Sequence, residues 1–189
     1  ADVDRFFKTV FPDFHQMMPD IADKWEDHPL SNLAIIRCYP WAHGKVGLMG
    51  DAAHATVPFY GQGMNAGFED CRVLNELMLE HNHDWDKIWA AYSPLRKPNG
   101  DALQDLSLDN YNEMANLVGD PAFLLRKKIE AKFSQLYPNK WLPLYSQVTF
   151  SNIPYSVAYE QGKKQRVIMD EIMANPAIEQ NWDSPEVMQ

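Results

Sequence analysis

The sequence is poor in cysteine, in net positive charge and in long apolar runs, and each shortage excludes a class of protein. Only Cys38 and Cys71 occur among its 189 residues, so there is no disulfide framework and no Cys/His pair at zinc-ligand spacing. The formal net charge of -9 argues against a general nucleic-acid binder, which needs a basic face. No stretch reaches the roughly 18 apolar residues that a membrane span requires. A reducing compartment is therefore the default expectation.

Apolar residues are plentiful, and their order predicts strand, strand, loop and then mostly helix. Hydrophobic residues make up 46% of the chain, which is enough for a sizeable core. Short helices are predicted over residues 2–28, with breaks at Pro12 and Pro19. Strands are predicted over residues 33–39 and 45–49, the second as a strand buried on both faces. Two isolated strands are not stable in water, so their partners are expected from elsewhere.

The rest of the chain is predicted to be helical after a loop over residues 52–63. Helices are expected over residues 65–81, 84–97, 101–118, 121–136 and 161–174, while residues 139–160 are left unassigned. Pro98 and Gly100 are expected to end the second of these helices. The first should bury an apolar face made of Phe68, Cys71, Leu74, Leu77 and Met78.

The segment from Val46 to Asp70, VGLMGDAAHATVPFYGQGMNAGFED, is the most informative part of the chain. A buried strand would deliver Gly50 and Asp51 to its carboxyl end, where α/β sheets bind ligands. Gly50 lets a ligand approach the backbone closely. Asp51 offers a carboxylate that can accept hydrogen bonds from sugar-type hydroxyls.

The same segment then leads into a helix, and glycines lie in the loop before it and at its start. Gly61, Gly63 and Gly67 leave the loop and the helix start without side-chain bulk. The amides near Met64 and Asn65 would point out of the helix N-terminus, where partial positive charge stabilises negative charge on a ligand. A reduced flavin develops such charge at its N1/C2 carbonyl edge.

Each feature taken alone also has a structural explanation. Asp51 could be only a helix N-cap, and Gly61-Gln62-Gly63 could be a plain turn. His54 alone is more often a structural histidine than a catalyst. The Gly61–Gly67 spacing is not a dinucleotide fingerprint, because it is one residue too long and follows a loop.

Together these residues resemble a known family. GDAAHATVPFYGQGMNAGFED is similar to the second FAD-binding motif of the class A flavoprotein monooxygenases, and the longer string through Cys71 resembles their kynurenine-hydroxylating branch. The resemblance continues through NYNEM (110–114), FLLRKK (123–128) and WLPLY (141–145). It implies FAD as cofactor and NADPH as reductant. It also implies O₂ and L-kynurenine as substrates, with hydroxylation beside the ring amino group through a C4a-hydroperoxyflavin.

The resemblance assigns roles to individual residues. It implies cofactor contacts for Gly50, Asp51, Gly63, Met64 and Asn65. It places Pro58, Phe59 and Gln62 between flavin and substrate, and Asn110, Glu113 and Tyr145 at or beside the substrate. No protein acid or base is implied as catalytic, since the cofactor supplies the hard chemistry.

The implied fold class is α/β, with a partial FAD-binding fold of the glutathione-reductase and p-hydroxybenzoate-hydroxylase type plus an α-helical C-terminal domain. Residues 1–40 would end the substrate-binding domain, 41–100 would close the FAD-binding domain, and 101–189 would form a helical cap. The N-terminal βαβ unit of that fold, which carries Gly-x-Gly-x-x-Gly, has no counterpart in the sequence. The N-terminal half of the same enzyme is therefore an expected partner, and the isolated chain is expected to hold FAD weakly and to lack turnover.

Two points rest on residues outside the flavin motif. Asn110 interrupts an apolar stripe on the third predicted helix, so its amide needs a ligand or a helix-to-loop hydrogen bond. The basic groups Arg126–Lys128 and Lys163–Arg166 could contact NADPH phosphate, but a solvated helix face is the preferred interpretation.

Alternatives to the kynurenine assignment remain open. One is another aromatic hydroxylase of the same fold, of the phenol or salicylate type. The other is a non-catalytic flavin-fold module that acts as a binding partner. The resemblance implies a cytoplasmic enzyme if the source is bacterial, and the mitochondrial outer membrane if the chain is a trimmed eukaryotic form.

Overall fold

The computed structural model describes residues 2–28 and 30–188. The chain divides into two compact units, residues 1–33 and residues 34–189. None of the helices within the described residues is long and apolar enough to cross a membrane.

The first unit consists of short helices separated by proline. These are α1 (Asp2–Val10), α2 (Pro12–Met17) and α3 (Ile21–Lys24), followed by a 3-10 turn at Trp25–Asp27. The breaks predicted at Pro12 and Pro19 are confirmed. Phe7 is the centre of an aromatic cluster, with ring centroids 5.4 to 5.9 Å from those of Phe6, Phe11, Phe14 and Trp25.

The strand predicted over residues 33–39 is wrong, because this segment has no regular structure. Instead of a strand ladder, the Ile36 amide donates to the Ala55 carbonyl at 3.1 Å. The Gln104 side-chain amide donates to the Ile36 carbonyl at 2.6 Å. A β-forming sequence becomes a strand only beside another strand, and here a loop and a helix satisfy the backbone instead.

A two-residue hairpin replaces the second predicted strand. β1 (Ala42–His43) pairs antiparallel with β2 (Val46–Gly47) across a turn in which Gly44 has a φ of 57°. The prediction that this strand would be buried on both faces is also wrong, because Val46 is 67% exposed. With a single neighbouring strand, only the end of this segment reaches the core, where Leu48 and Met49 pack beside Trp41.

The segment after the hairpin is more helical than predicted. The expected loop over residues 52–63 contains α4 (Asp51–His54) and a 3-10 turn at Pro58–Tyr60. α5 (Gly63–Glu80) then follows, close to its predicted bounds.

The predicted apolar face of α5 is only partly correct. Phe68 is 66% exposed and Cys71 is exposed, whereas Asp70 is fully buried. Val73 and Leu77 are buried on the same side as Asp70. The helix is turned so that a carboxylate faces the interior, because Arg96 of the next helix pairs with it at 2.7 Å.

α6 (Trp85–Asn112) is one continuous helix, so the predicted stop at Pro98–Gly100 is wrong. Pro94 and Pro98 each remove one backbone hydrogen bond. The helix continues because its buried face, which includes Ile88, Tyr92 and Leu103, is held by the core. A single π-helical segment, Glu113–Leu117, follows it directly.

The two helices predicted for the C-terminal part of the chain, over residues 121–136 and 161–174, are present. α7 (Pro121–Leu136) begins at Asp120, whose carboxylate accepts hydrogen bonds from the Ala122 and Phe123 amides at 2.7 and 3.0 Å. The unassigned region contains α8 (Leu144–Thr149) and the start of α9 (Tyr155–Met173), which includes the predicted tail helix. α10 (Ile178–Asn181) and α11 (Pro185–Met188) close the described chain.

Three apolar clusters form the core of the second unit. The first surrounds Trp41 and Tyr92, the second surrounds Leu103 and Leu106, and the third joins Ile129 to Met169. α6 contributes to the first two clusters, so it connects the hairpin side of the unit to the α8–α9 side.

The packing of α6 between the two sides of this unit can be tested at Gly100. A Cβ at Gly100 would lie 2.9 Å from the Trp41 ring and 3.1 Å from the His54 Cβ. We expect Gly100→Ala to lower the free energy of unfolding by up to about 2 kcal/mol, because an overpacking cost of about 1–3 kcal/mol outweighs the gain of roughly 1 kcal/mol in helix propensity. Urea denaturation measures this. Gly119→Ala is the matched control, since a Cβ there meets nothing within 4 Å; equal effects at both positions would contradict the packing.

Candidate functional site

The Gly50–Asp51 corner lies at the start of α4. Gly50 has φ 55° and ψ -138°, a combination that is accessible essentially only to glycine. Asp51 is the first residue of the helix, and its side chain is exposed. The corner therefore presents a bare backbone and a free-standing carboxylate to the same surface, as expected for a site that binds hydroxyl groups.

The N-terminus of α5 lies next to this corner. A Cβ built at Gly67 would be 3.8 Å from the Gly50 Cα, so the two backbones are in contact. The first amides of a helix have no acceptor within it, and no described side chain caps those of α5. Gly63, Met64 and Asn65 carry these amides, and both Met64 and Asn65 are exposed. The structure thus places the first turns of α5, which carry three of the predicted cofactor residues, beside the corner that carries the other two.

These features fit the isoalloxazine and ribityl parts of FAD. The open amides and the helix dipole suit a ring edge that becomes negatively charged. The carboxylate of Asp51 can accept hydrogen bonds from sugar-chain hydroxyls. The contact between Gly50 and Gly67 lets a flat ligand approach both backbones at once.

A buried charge network lies behind the corner. The Asp70 carboxylate accepts from the Gly50 amide at 3.0 Å and from the His54 ring at 2.6 Å through one oxygen. Its other oxygen accepts from Arg96 Nε at 2.7 Å. Burial alone would raise the pKa of Asp70, but the hydrogen bonds from His54, Gly50 and Arg96 outweigh it and hold that pKa below its ordinary value. Asp70 is therefore a carboxylate at neutral pH.

A cleft of about 740 Å³ contains three of the predicted substrate residues, Asn110, Glu113 and Tyr145. Tyr60 also lines it and stacks on Tyr145, with ring centroids 5.7 Å apart and an interplanar angle of 25°. Burial raises the pKa of the Tyr60 hydroxyl above its ordinary value, and the nearby Glu113 adds to the rise. The phenol therefore stays neutral and can donate a hydrogen bond.

The charges that line this cleft balance one another. Three acids and three bases contribute to its wall, namely Asp109, Glu113, Glu130, Arg126, Lys127 and Arg166. Arg166 pairs with Asp109 at 2.9 Å, and Lys127 pairs with Glu113 at 3.2 Å. The interpretation of the basic groups as solvated helix faces agrees with Arg166, whose side chain is 52% exposed, and less well with Arg126, whose side chain is 21% exposed. Both belong to the cleft wall and are bonded to each other, Arg126 donating to the Arg166 carbonyl at 3.1 Å.

The other three predicted substrate residues lie outside this cleft. Gln62 is buried, and its side-chain oxygen accepts from the Asn65 side-chain amide at 2.8 Å. Gln62 lines a second cleft of about 780 Å³ between α5 and residues 148–155. Pro58 is exposed, and Phe59 packs on Tyr111 with ring centroids 4.7 Å apart.

Asn110 has the structural partner that its position in an apolar stripe required. Its side-chain amide donates to the Phe59 carbonyl at 2.7 Å. The helix-to-loop hydrogen bond considered from the sequence is therefore present. It also fixes the Pro58–Tyr60 turn against α6, so that this turn and the cleft share one support.

The sequence alone did not reveal the residues that organise this site. Asp70 was identified only as the end of a motif, and Arg96 was not singled out. The available signal was a carboxylate at position 70 of a helix whose neighbours Val73 and Leu77 are apolar, which implies a buried charge that needs a partner.

The part of the chain that contains this site is similar to known proteins. Residues 19–107 match the family described as FAD binding domain. The kynurenine 3-monooxygenase of Christiangramia forsetii is 50% identical over 98% of this chain and 42% of its own length. The kynurenine 3-monooxygenase of Flavobacterium johnsoniae is 48% identical over 98% of this chain and 42% of its own length. That of Candida albicans is 42% identical over 89% of this chain and 38% of its own length.

Over most of its length, the chain is thus similar to proteins named kynurenine 3-monooxygenase. It spans about two fifths of the length of these curated relatives. The matched FAD-binding region includes the Gly50–Asp51 corner and the start of α5, whereas Asn110, Glu113 and Tyr145 lie beyond it. Kynurenine 3-monooxygenase relatives occur in bacteria and in a fungus.

The backbone of the corner can be tested with one substitution at two glycines. We expect Gly50→Asn to lower the free energy of unfolding by about 1–3 kcal/mol, because its φ and ψ exclude a side chain. Gly61→Asn is the matched control: Gly61 has φ 66° and ψ 19°, a left-handed conformation that asparagine adopts readily, so a change within about 0.5 kcal/mol is expected. Urea midpoints measure both. A Gly50→Asn protein as stable as the control would show that the corner is unstrained.

Proposed function

We propose that this chain forms part of an FAD- and NADPH-dependent monooxygenase that hydroxylates L-kynurenine to 3-hydroxykynurenine. The main support is the meeting of the Gly50–Asp51 corner with the open N-terminus of α5, inside a region that matches an FAD-binding domain. The names of the relatives supply the substrate. When bound, FAD would supply the redox chemistry, taking electrons from NADPH and activating O₂.

The proposed roles of the cofactor residues follow from their positions. Asp51 would accept hydrogen bonds from the ribityl hydroxyls. The amides of Gly63, Met64 and Asn65 would donate to the pyrimidine edge of the flavin and stabilise negative charge there. Gly50 would let the cofactor lie against the backbone.

The proposed substrate site is the cleft that contains Tyr60, Asn110, Glu113 and Tyr145. Kynurenine is an aromatic amino acid with one carboxylate and one ammonium group. A cleft with a stacked tyrosine pair suits its ring, and a wall with equal numbers of acids and bases suits its two charges. A salicylate-type substrate has a net negative charge and would favour an excess of bases.

Pro58, Phe59 and Gln62 would lie between cofactor and substrate. The hydrogen bond from Asn110 to the Phe59 carbonyl supports this, because it fixes the turn between the two proposed sites. The side chains of this turn would hold the substrate ring in place and exclude water from the reacting positions.

We also propose a division of labour along the chain. Residues 1–40 would complete the substrate-binding domain, residues 41–100 would close the FAD-binding domain, and residues 101–189 would form a helical cap. The βαβ unit that holds the ADP part of FAD, together with NADPH contacts, would come from the part of the relatives that this chain does not match.

Asp51 provides the direct test of cofactor binding. In a full-length enzyme that carries this chain, we expect Asp51→Ala to weaken FAD binding by about 10- to 100-fold, the loss of a hydrogen bond to a charged group. Flavin fluorescence titration measures the dissociation constant. Asp86→Ala removes a comparable exposed carboxylate from the first turn of α6 and should leave FAD binding unchanged. Unaltered FAD binding in Asp51→Ala would contradict the proposed role.

Asn110 tests the substrate site and the two alternatives together. We expect Asn110→Ala to reduce kcat/KM for kynurenine by about 10-fold or more with FAD affinity retained, because the cleft wall and the Phe59 turn lose a support. Kynurenine-dependent NADPH oxidation measures this, and Asn116→Ala on the exposed π-helical segment is the control. Faster oxidation with phenol or salicylate than with kynurenine would favour the other hydroxylases. Full FAD binding without oxidation of NADPH for any of these substrates would favour a non-catalytic module.

A further inference from the structure

The Asp70 carboxylate is the point where three parts of the proposed cofactor site meet. Asp70 lies in α5, the Gly50 amide belongs to the corner, and Arg96 belongs to α6. The side chains of Asp70, His54 and Arg96 are 0%, 3% and 5% exposed. None of them faces the surface on which FAD would bind.

The two oxygens of the Asp70 carboxylate have different partners. One Asp70 oxygen accepts from Gly50 and His54, and the other accepts from Arg96. Because a carboxylate only accepts, the His54 nitrogen that faces it must be the protonated one. Arg96 also donates to the Ala66 carbonyl in α5 at 3.4 Å and pairs with Glu69 at 2.8 Å.

The Gly50 amide is the critical member of this set. Gly50 precedes Asp51 directly, and its conformation determines where the Asp51 carboxylate stands. A buried charge-assisted hydrogen bond restrains that conformation far more than an exposed one would. The same carboxylate fixes α5, whose first amides are the other half of the proposed flavin site.

We propose that Asp70 is a positioning residue for the cofactor: by holding the Gly50 amide from α5 and α6, it sets the Asp51 carboxylate and the α5 amides in register for FAD. This inference rests on the proposed function. It assigns to Asp70 no contact with FAD or substrate, only an effect through Gly50.

The test compares two carboxylates that share one arginine. Asp70→Asn puts an amide donor where Gly50 or Arg96 also donates, so the Gly50 bond is lost or weakened. Glu69→Gln removes the second carboxylate from Arg96 but touches neither Gly50 nor His54. In a full-length enzyme that carries this chain, both variants should lower the melting temperature. Only Asp70→Asn should raise the FAD dissociation constant, by about 10-fold or more, and alter the visible absorption spectrum of the bound flavin.

The control separates positioning from stability. The Glu69→Gln dissociation constant should stay within about three-fold of the wild-type value, measured well below the melting temperature of either variant. A less stable Asp70→Asn protein with wild-type FAD affinity and spectrum would show a purely structural role and overturn the proposal. A wild-type enzyme that binds no FAD would instead refute the proposed function itself.

A measurement on the wild-type protein covers the case in which Asp70→Asn does not fold. If Asp70 holds the Gly50 amide in advance of binding, hydrogen exchange at Gly50 should be slow in the FAD-free enzyme and little slower after FAD is added. The Met64 and Asn65 amides, which are uncapped, should exchange fast without FAD and become protected with it. A Gly50 amide that exchanges as fast as these two in the FAD-free enzyme would overturn the proposal.

Discussion

The buried Asp70 carboxylate is the interaction on which the arrangement of this unit depends. Removing a charge from water is costly, and only a full set of partners compensates for it. Gly50, His54 and Arg96 provide that set from three different elements. Breaking a buried pair of this kind by deleting one partner typically costs about 3–5 kcal/mol. The network therefore enforces one relation between the corner, α5 and α6, where apolar packing alone would tolerate several.

α6 extends that constraint to the substrate cleft. Its 28 residues span about 42 Å at the usual rise per residue. Arg96 in its first half belongs to the buried network, and Asn110 near its end lines the cleft. Between them, Gln104 holds the Ile36 and Ala55 carbonyls at 2.6 and 2.9 Å. One helix thus relates the proposed cofactor surface to the proposed substrate surface.

Local patterns predicted the helices well and the strands badly, for a physical reason. α5 and α7 satisfy their backbones within themselves, so helical periodicity, together with the glycines before α5, was enough to place them. The segment 33–39 had the composition of a strand, but a strand needs a neighbour that no local pattern supplies. Pro98 led to the wrong prediction of a helix end, because burial of Tyr92 and Leu103 keeps α6 continuous. The motif indicated Asp51, Met64 and Asn65 as a group, whereas the pairing of Asp70 with Arg96 depends on a tertiary contact that no local pattern shows.

Burial changes abruptly between α6 and the π-helical segment that follows it, and this has a consequence for how related sequences can diversify. From Ile88 to Ser107 the helix contributes ten buried residues, whereas the π-helical segment that follows α6, Glu113–Leu117, has none. Substitutions at exposed positions seldom change folding free energy by more than about 0.5 kcal/mol. New side chains can therefore accumulate in this exposed part of the cleft wall while α6, which supports the Gly50–Asp51 corner, stays unchanged. A region that tolerates substitution thus follows directly on a helix that does not.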